Sequence, residues 1–467
     1  MNGFHFRDLW RWEGALDRGP FVLAGAILFA IKYNLDRLIA EGIFHRPRWS
    51  IFEYPIPFHQ QTVPLQDDLP FFATLMGVAL PFIWAGAALT VRRLRSAGLP
   101  IWLVVFFFPP FINLFFFLLL ALLPSKAQRE TPPQADAGRL KAMLDRWIPD
   151  HPMGSAALAL LLNTLLALPL IYIATETLGD YGWTLFVGVP FFLGLSAVLL
   201  HGYHRPRNLG SCLIVALCSV ALISALLFAL AMEGVICLLM AAPLGILVAL
   251  TGGVLGHFIQ KQHWANLEAP RLYCAALIAL PVLMAAERLD HPPAPLIAVR
   301  SAIEVNAPPE EVWRHVVSFP ELPPPTELLF RAGVAYPLRA QIQGTGVGAI
   351  RHCVFSTGAF VEPIEVWDAP RLLRFSVTSN PPPMQEWTPF AAVHPPHLNG
   401  FLVSRAGQFR LEPLPGGRTR LEGTTWYQHH LWPASYWTPW SDFIIHRIHL
   451  RVLHHVQQLA EADAAHR

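Results

Sequence analysis

Residues 301–313 read Ser301-Ala-Ile-Glu-Val-Asn-Ala-Pro-Pro-Glu-Glu-Val-Trp313. The first half completes a strand over Ala298–Asn306. The second half opens a helix over Ala307–Val317, because its prolines stand where a missing N–H does no harm and its acids fall in the first turn. Downstream, strand-like runs recur at Leu338–Gln343, Gly348–Phe355, Phe360–Trp367, Leu372–Thr378, Ser404–Pro413 and Thr419–Tyr427. Pro415-Gly-Gly417 supplies the tightest hairpin turn among them. From Trp440 to Ala462, Ile445, Ile448, Val452, Val456 and Leu459 recur at helical spacing on one face. A strand, a short helix, a run of antiparallel strands and a long last helix predict a curved sheet gripping one helix, an α+β domain.

Upstream of this region the chain changes character. Of 467 residues, 54% are hydrophobic and 14% charged, against about 25% charged in soluble domains. An ordinary water-soluble enzyme is excluded. Apolar runs of about 20 residues, the length that crosses a bilayer, fall at Pro20–Ala40, Leu69–Val91, Leu99–Leu123, Gly154–Thr175, Trp183–Tyr203, Gly210–Met232, Val235–Ile259 and Arg271–Arg288. The fold class is therefore a multi-domain membrane protein: an all-α bundle of seven or eight spans followed by the α+β domain. The third run holds Pro109-Pro110 at its centre and cannot be a regular helix, so it is either a kinked span or a pair of half-helices.

The expected division is 1–123, the first membrane region; 124–153, a polar loop with a short amphipathic helix; 154–290, a second bundle of about five spans; 291–297, a Pro-rich linker; and 298–467, the soluble domain. Lys and Arg collect in loops 124–153, 204–209 and 260–270, whereas Glu176–Gly182 and Glu233-Gly234 have none. By the positive-inside rule the former face the cytoplasm, and the carboxy-terminal domain is expected outside. No cleavable signal peptide is expected, since the first apolar run is long and lacks a small-residue cleavage site. A multi-pass protein of a bacterial inner membrane, in contact with membrane lipids, is the expected setting. The formal net charge of +2 points to no nucleic-acid partner.

The order of elements, with Ser301–Trp313 at its head and the aromatic-Pro step Phe319-Pro320, resembles the START-like helix-grip superfamily (SRPBCC), nearest its polyketide-cyclase and dehydrase branch. The resemblance covers about 160 residues and implies a cavity between sheet and last helix. It does not fix chemistry. Trp12-Glu-Gly-Ala-Leu-Asp-Arg18 and Val91-Arg-Arg-Leu-Arg-Ser-Ala-Gly-Leu-Pro-Ile-Trp102 resemble a bacterial inner-membrane family known as domain of unknown function 805. Leu16 stands where that family has an Arg, and Arg95-Ser96 where it has His-Asp.

A helix-grip cavity is the natural binding site. The residues expected to line it for a hydrophobic small molecule, such as a lipid or isoprenoid, are Trp367, Phe375, Phe409, Trp426, Ile445, Ile448, His449, Val452 and Val456. An ordinary core filling is the bland alternative for each. A cyclase, dehydratase or hydrolase acting on an aromatic or polyketide-like substrate would need a base, for which His449, His352 and Glu365 are the candidates. A transporter or sensor with a regulatory soluble domain is the third reading. No cofactor and no metal are expected: the cysteines form no CxxC pair, and the histidines of the last helix have no carboxylate or thiol at ligand spacing. Gly344-Thr-Gly-Val-Gly348 lacks the following helix of a dinucleotide fingerprint and is expected as a hairpin turn. The aromatic, turn-rich segments 380–397 and 426–440 are expected at the cavity mouth, facing the bilayer. Lys32 and Asp36 can pair at i,i+4, and Asn113 and Asn163 can bond between helices.

Overall fold

The computed structural model describes residues 9–46, 49, 69–109, 112–125, 142–262, 275, 278–288, 294–386 and 395–466. The chain divides into two compact units, Met1–Leu226 with Ala241–Pro292, and Leu227–Met240 with Pro293–Arg467.

The first unit is helical. Its helices are α1 (Arg18–Leu38), α2 (Leu69–Ala97), α3 (Ile112–Leu122), α4 (Pro152–Tyr172), α5 (Val189–His201), α6 (Leu209–Ala229) and α7 (Val235–Gln260), the last two shared with the second unit at their facing ends. Among the described residues five segments are long and apolar enough to cross a membrane: Leu69–Ala97, Pro152–Thr177, Thr184–His201, Leu209–Ala229 and Val235–Gln260. This is fewer than the seven or eight expected from the apolar runs. The Pro20–Ala40 run does form a helix, but Arg18, Lys32, Asp36 and Arg37 lie within it, and charges are costly at bilayer depth. The double-proline run breaks, as its missing backbone donors require, into a 3-10 turn at Ile101–Phe107 and the short α3. Residues 271–274 and 276–277 of the last apolar run and 126–141 of the polar loop lie outside the described residues.

The two motifs of the amino-terminal resemblance meet each other. Leu16 donates its backbone N–H to the Arg92 carbonyl at 3.1 Å, and Ser96 reaches Asp17 at 3.3 Å. Arg95 binds the Trp12 carbonyl, and Trp12 sits edge-on to Trp84 at 5.1 Å. Arg93 is fully buried. Its guanidinium caps the end of α3, donating to the carbonyls of Leu120 (3.0 Å) and Leu123 and to Ser125 (3.1 Å). Five donors in a rigid fork suit Arg to this task of satisfying orphan helix carbonyls. Lys32 and Asp36 form the expected ion pair. Asn163 on α4 donates to Leu193 O at 2.9 Å on α5 and to Ser219 Oγ at 3.3 Å on α6, and accepts from Ser196 at 2.7 Å. It ties three helices where an unpaired amide would be costly.

The second unit is the α+β domain. It runs β1 (Ile297–Val305), α8 (Pro309–Val317), α9 (Leu328–Arg331), β2 (Pro337–Gln343), β3 (Ile350–Phe355), β4 (Gly358–Asp368), β5 (Leu372–Ser376), β6 (Leu402–Leu414), β7 (Arg418–His429) and α10 (Ala434–Ala465). The seven strands form one antiparallel sheet in the order β1-β7-β6-β5-β4-β3-β2. The last helix lies against one sheet face. Leu453, Val456 and Ala460 are wholly buried there and Val452 nearly so, and each fully buried aliphatic side chain contributes about 1.5–3 kcal/mol. Side chains alternate along each strand, so Leu373 and Phe375 of β5 face the helix while Arg374 between them is exposed. Sheet order and gripping helix make this a helix-grip, START-like fold. Gly344–Gly348 is the β2–β3 turn, with positive φ at Gly344, Gly346 and Gly348, followed by a strand. The last helix begins at Ala434, six residues before the expected start, with Pro439 inside its first turns.

Candidate functional site

Two strands that should be apolar on the helix-facing side each carry one charge there. In β3, Arg351, Cys353 and Phe355 share the buried phase; in β4, Glu362 and Ile364 do. The register sets Arg351 directly opposite Glu362, and their side chains form an ion pair with Arg351 1% and Glu362 6% exposed. Arg351 Nε also donates to the Val317 carbonyl at 3.2 Å. Its guanidinium carbon lies 5.6 Å from each of three ring centroids, those of Phe319, Phe375 and Phe409, a favourable place for a cation. The remaining nitrogen, Nη2, is shielded from solvent and has no oxygen or nitrogen acceptor in good geometry among the described residues, while the Cys353 thiol lies beside the guanidinium. Burial pushes the Glu362 carboxyl up, against the pull of Arg351. Burial, then the charge of Glu362, pushes the Cys353 thiol up to about 12, so it stays protonated.

A second polar group sits where α10 crosses β1 and β7. His449 Nε2 is 2.7 Å from Thr425 Oγ1 and its Nδ1 is 3.1 Å from Ser301 Oγ, which is also 2.6 Å from His446 Nδ1. A neutral imidazole has one donor and one acceptor, so the Thr425–His449–Ser301–His446 chain is satisfied running in either direction. Burial, then the neighbouring His446, lowers the His449 pKa to about 4. Nearby, the Tyr427 hydroxyl donates to Asp442 at 2.7 Å, and Arg447 pairs with Glu327 at 2.7 Å.

Of the residues expected to line a cavity, Phe375, Val452 and Val456 are buried in the main core, with Trp367, Phe409 and Ile448 packed against it. Phe375 and Phe409 lie 6.3 Å apart, and Trp367 stands edge-on to Trp313 at 5.7 Å. Ile445 belongs to a separate cluster with Val299 and Tyr427. Trp426 does not join them. It alternates with Thr425 and Tyr427, which face the helix, and it lies under the Arg374 guanidinium at 5.3 Å on the other face. Arg374 also meets Glu365 at 3.8 Å, with both side chains about half exposed. Glu365 is therefore outside, and so is His352, which falls on the opposite phase of β3 from Arg351 and Cys353. Only His449 of the three candidate bases faces inward, and both of its ring nitrogens are engaged.

The ion pair is not among the residues expected from the sequence. The available signal was a charge of each sign in the apolar phase of two adjacent strands. The aromatic segments divide: Trp437 is buried within the domain, while 387–394 lie outside the described residues. Among the described residues one group of three side chains, Glu233, Cys237 and His397, has metal-ligand chemistry within mutual reach. Glu233 and Cys237 are some 160 residues distant from His397 in sequence, so no local spacing marked them.

Residues 9–131 match the family described as "Protein of unknown function (DUF805)". A comparison with curated proteins gives no match. Among solved structures, the protein XoxI from Bacillus cereus is 16% identical, with 36% of this chain and 99% of that one covered and a TM-score of 0.24. A norcoclaurine synthase point mutant from Thalictrum flavum is 12% identical, covering 37% and 99%, with a TM-score of 0.25. Protein CV1439 from Chromobacterium violaceum is 16% identical, covering 35% and 96%, with a TM-score of 0.22.

Proposed function

We propose that this multi-pass membrane protein uses its helix-grip domain to hold a hydrophobic ligand with an anionic end, such as a lipid or an isoprenoid acid, between the sheet and α10. The observation that carries this reading is Arg351. A buried guanidinium nitrogen without an acceptor is costly, and a carboxylate or phosphate oxygen would satisfy it. Phe319, Phe375 and Phe409 around it would receive the adjoining apolar chain, whose burial contributes about 25 cal/mol per Å². Glu362 balances Arg351 in the absence of ligand, so the anion would compete for a donor already held in place. Tethering to the membrane keeps the domain near the phase from which such a ligand comes and raises its effective concentration.

The domain is proposed to face the outside of a bacterial inner membrane. In support of this, the Glu233-Gly234 loop, which has no Lys or Arg, falls in the same compact unit as the domain. A fluorescent long-chain acid offered to the purified full-length protein tests the binding reading. Val452→Asp, a charge on the sheet-facing side of α10, should abolish uptake while membrane insertion persists. Trp426→Asp, on the other sheet face, should leave uptake within about twofold. Equal uptake by all three proteins would reject this interior as the ligand site.

A further inference from the structure

The turn between α6 and α7 holds a second polar cluster that the ligand-binding reading does not use. Glu233 lies in the bend two residues before α7, and Cys237 lies in the first turn of that helix. His397, in the turn Pro396–Leu398, brings its Nε2 to 2.9 Å from Cys237 Sγ, and its Nδ1 lies 3.7 Å from Glu233 Oε2. One ligand atom from each of the three falls within 4.8 Å of the others. Met384 adds a thioether sulfur 3.8 Å from the Cys237 sulfur.

A fourth side chain supplies an independent sign. Glu386 is 7% exposed, and neither of its oxygens meets a hydrogen-bond donor in good geometry among the described residues. Its carboxylate lies so close over Gly234 that a Cβ there would be 1.9 Å from Oε2. A thiol, an imidazole and two carboxylates gathered at one turn are a donor set that suits a cation.

We propose that Glu233, Cys237 and His397 bind a zinc-class divalent cation, with Glu386 adding negative charge at its edge. Cys, His and carboxylate are the zinc ligand set, and three protein ligands leave one position for water or a further group. The thiol proton leaves as the ion binds. With typical Zn–S and Zn–N bonds in a tetrahedron, sulfur and nitrogen separate to about 3.5 Å, a small opening of the present 2.9 Å contact.

The test is a cobalt titration of the chelator-treated full-length protein in detergent, with zinc added afterwards. The expected result is a saturating thiolate-to-cobalt charge-transfer band with tetrahedral visible bands, bleached by zinc. Cys237→Ser should remove the charge-transfer band. His397→Gln and Glu233→Gln should each weaken cobalt binding about tenfold or more while Cys237 remains available, so the proposal does not hang on one variant folding. A wild-type protein with no charge-transfer band overturns it. So does a band that survives Cys237→Ser, which would place the ion at another cysteine, or cobalt affinity unchanged by both His397→Gln and Glu233→Gln.

Discussion

Arg351 on β3 and Glu362 on β4 are cross-strand neighbours that form an ion pair on the helix-facing side of the sheet, both almost wholly buried. Two charges taken from water cost several kcal/mol each, and their attraction repays this only with good geometry. Apolar residues would fill the same space without that cost. The pair is thus a poor device for stability and a good one for keeping a cation ready inside an apolar domain.

Removing one partner exposes the cost of the other. Glu362→Ala should destabilise the domain by about 3–5 kcal/mol, because it strands the buried guanidinium. The double variant Arg351→Met with Glu362→Leu should recover most of that loss while losing the anion preference in ligand uptake. Denaturant unfolding of the three proteins measures the first claim. A double variant as unstable as Glu362→Ala would show that the pair is there for packing.

The sign of the pH dependence follows from His449. Its folded pKa is lowered to about 4 from the ordinary histidine value of 6.5, so between these values the unfolded chain binds the extra proton. Its contribution to stability is full above about pH 6.5 and falls as pH drops towards 4. Thermal unfolding should accordingly shift to lower temperature from pH 7.5 to pH 4.5. In His449→Gln, which keeps hydrogen-bonding capacity without titrating there, the slope over that window should be shallower. An equal slope in both proteins would remove His449 as its source.

Much of the domain was legible because period-two and period-3.6 patterns are local. The run from Leu372 became β5, Thr419–Tyr427 became the body of β7, and the stripe Ile445, Ile448, Val452, Val456 became the buried side of α10. What was not legible depends on contacts across the chain. Trp426 looks like a cavity residue until strand phase sends it to Arg374. Arg351 looks like a surface residue until register sets it opposite Glu362. Cys237 looks like a buried thiol in an apolar helix until His397 is beside it. Among the described residues fewer segments reach spanning length than there are apolar runs, because the third run breaks near Pro109-Pro110 and charges lie along α1.

Two glycines facing the same interior should respond differently to a methyl group. A Cβ at Gly407 would lie 2.6 Å from the Phe375 ring, whereas at Gly423 the nearest atoms are 3.7 Å away. Gly407→Ala should displace Phe375, cost about 1–3 kcal/mol, and weaken ligand uptake. Gly423→Ala makes only ordinary contacts and should come within about 0.5 kcal/mol of the parent. Unfolding curves and uptake assays on the pair decide it; equal effects would mean that Phe375 is not fixed by this approach.

Sidedness has a direct readout at the β2–β3 turn, where Val347 is 70% exposed. Val347→Cys should react with a membrane-impermeant maleimide in intact cells stripped of their outer barrier, above the level of the parent chain. Labelling only after lysis would put the domain in the cytoplasm.

The most direct measurement of the central claim is native mass spectrometry of the full-length protein, purified in detergent without added ligand and released from the micelle. The account predicts one tightly held adduct of an anionic lipid-sized molecule. That adduct should persist after bulk lipid is stripped, be released on denaturation, and be absent from the Arg351→Met, Glu362→Leu double variant. A bare protein mass, or an adduct that the double variant retains in full, would contradict it.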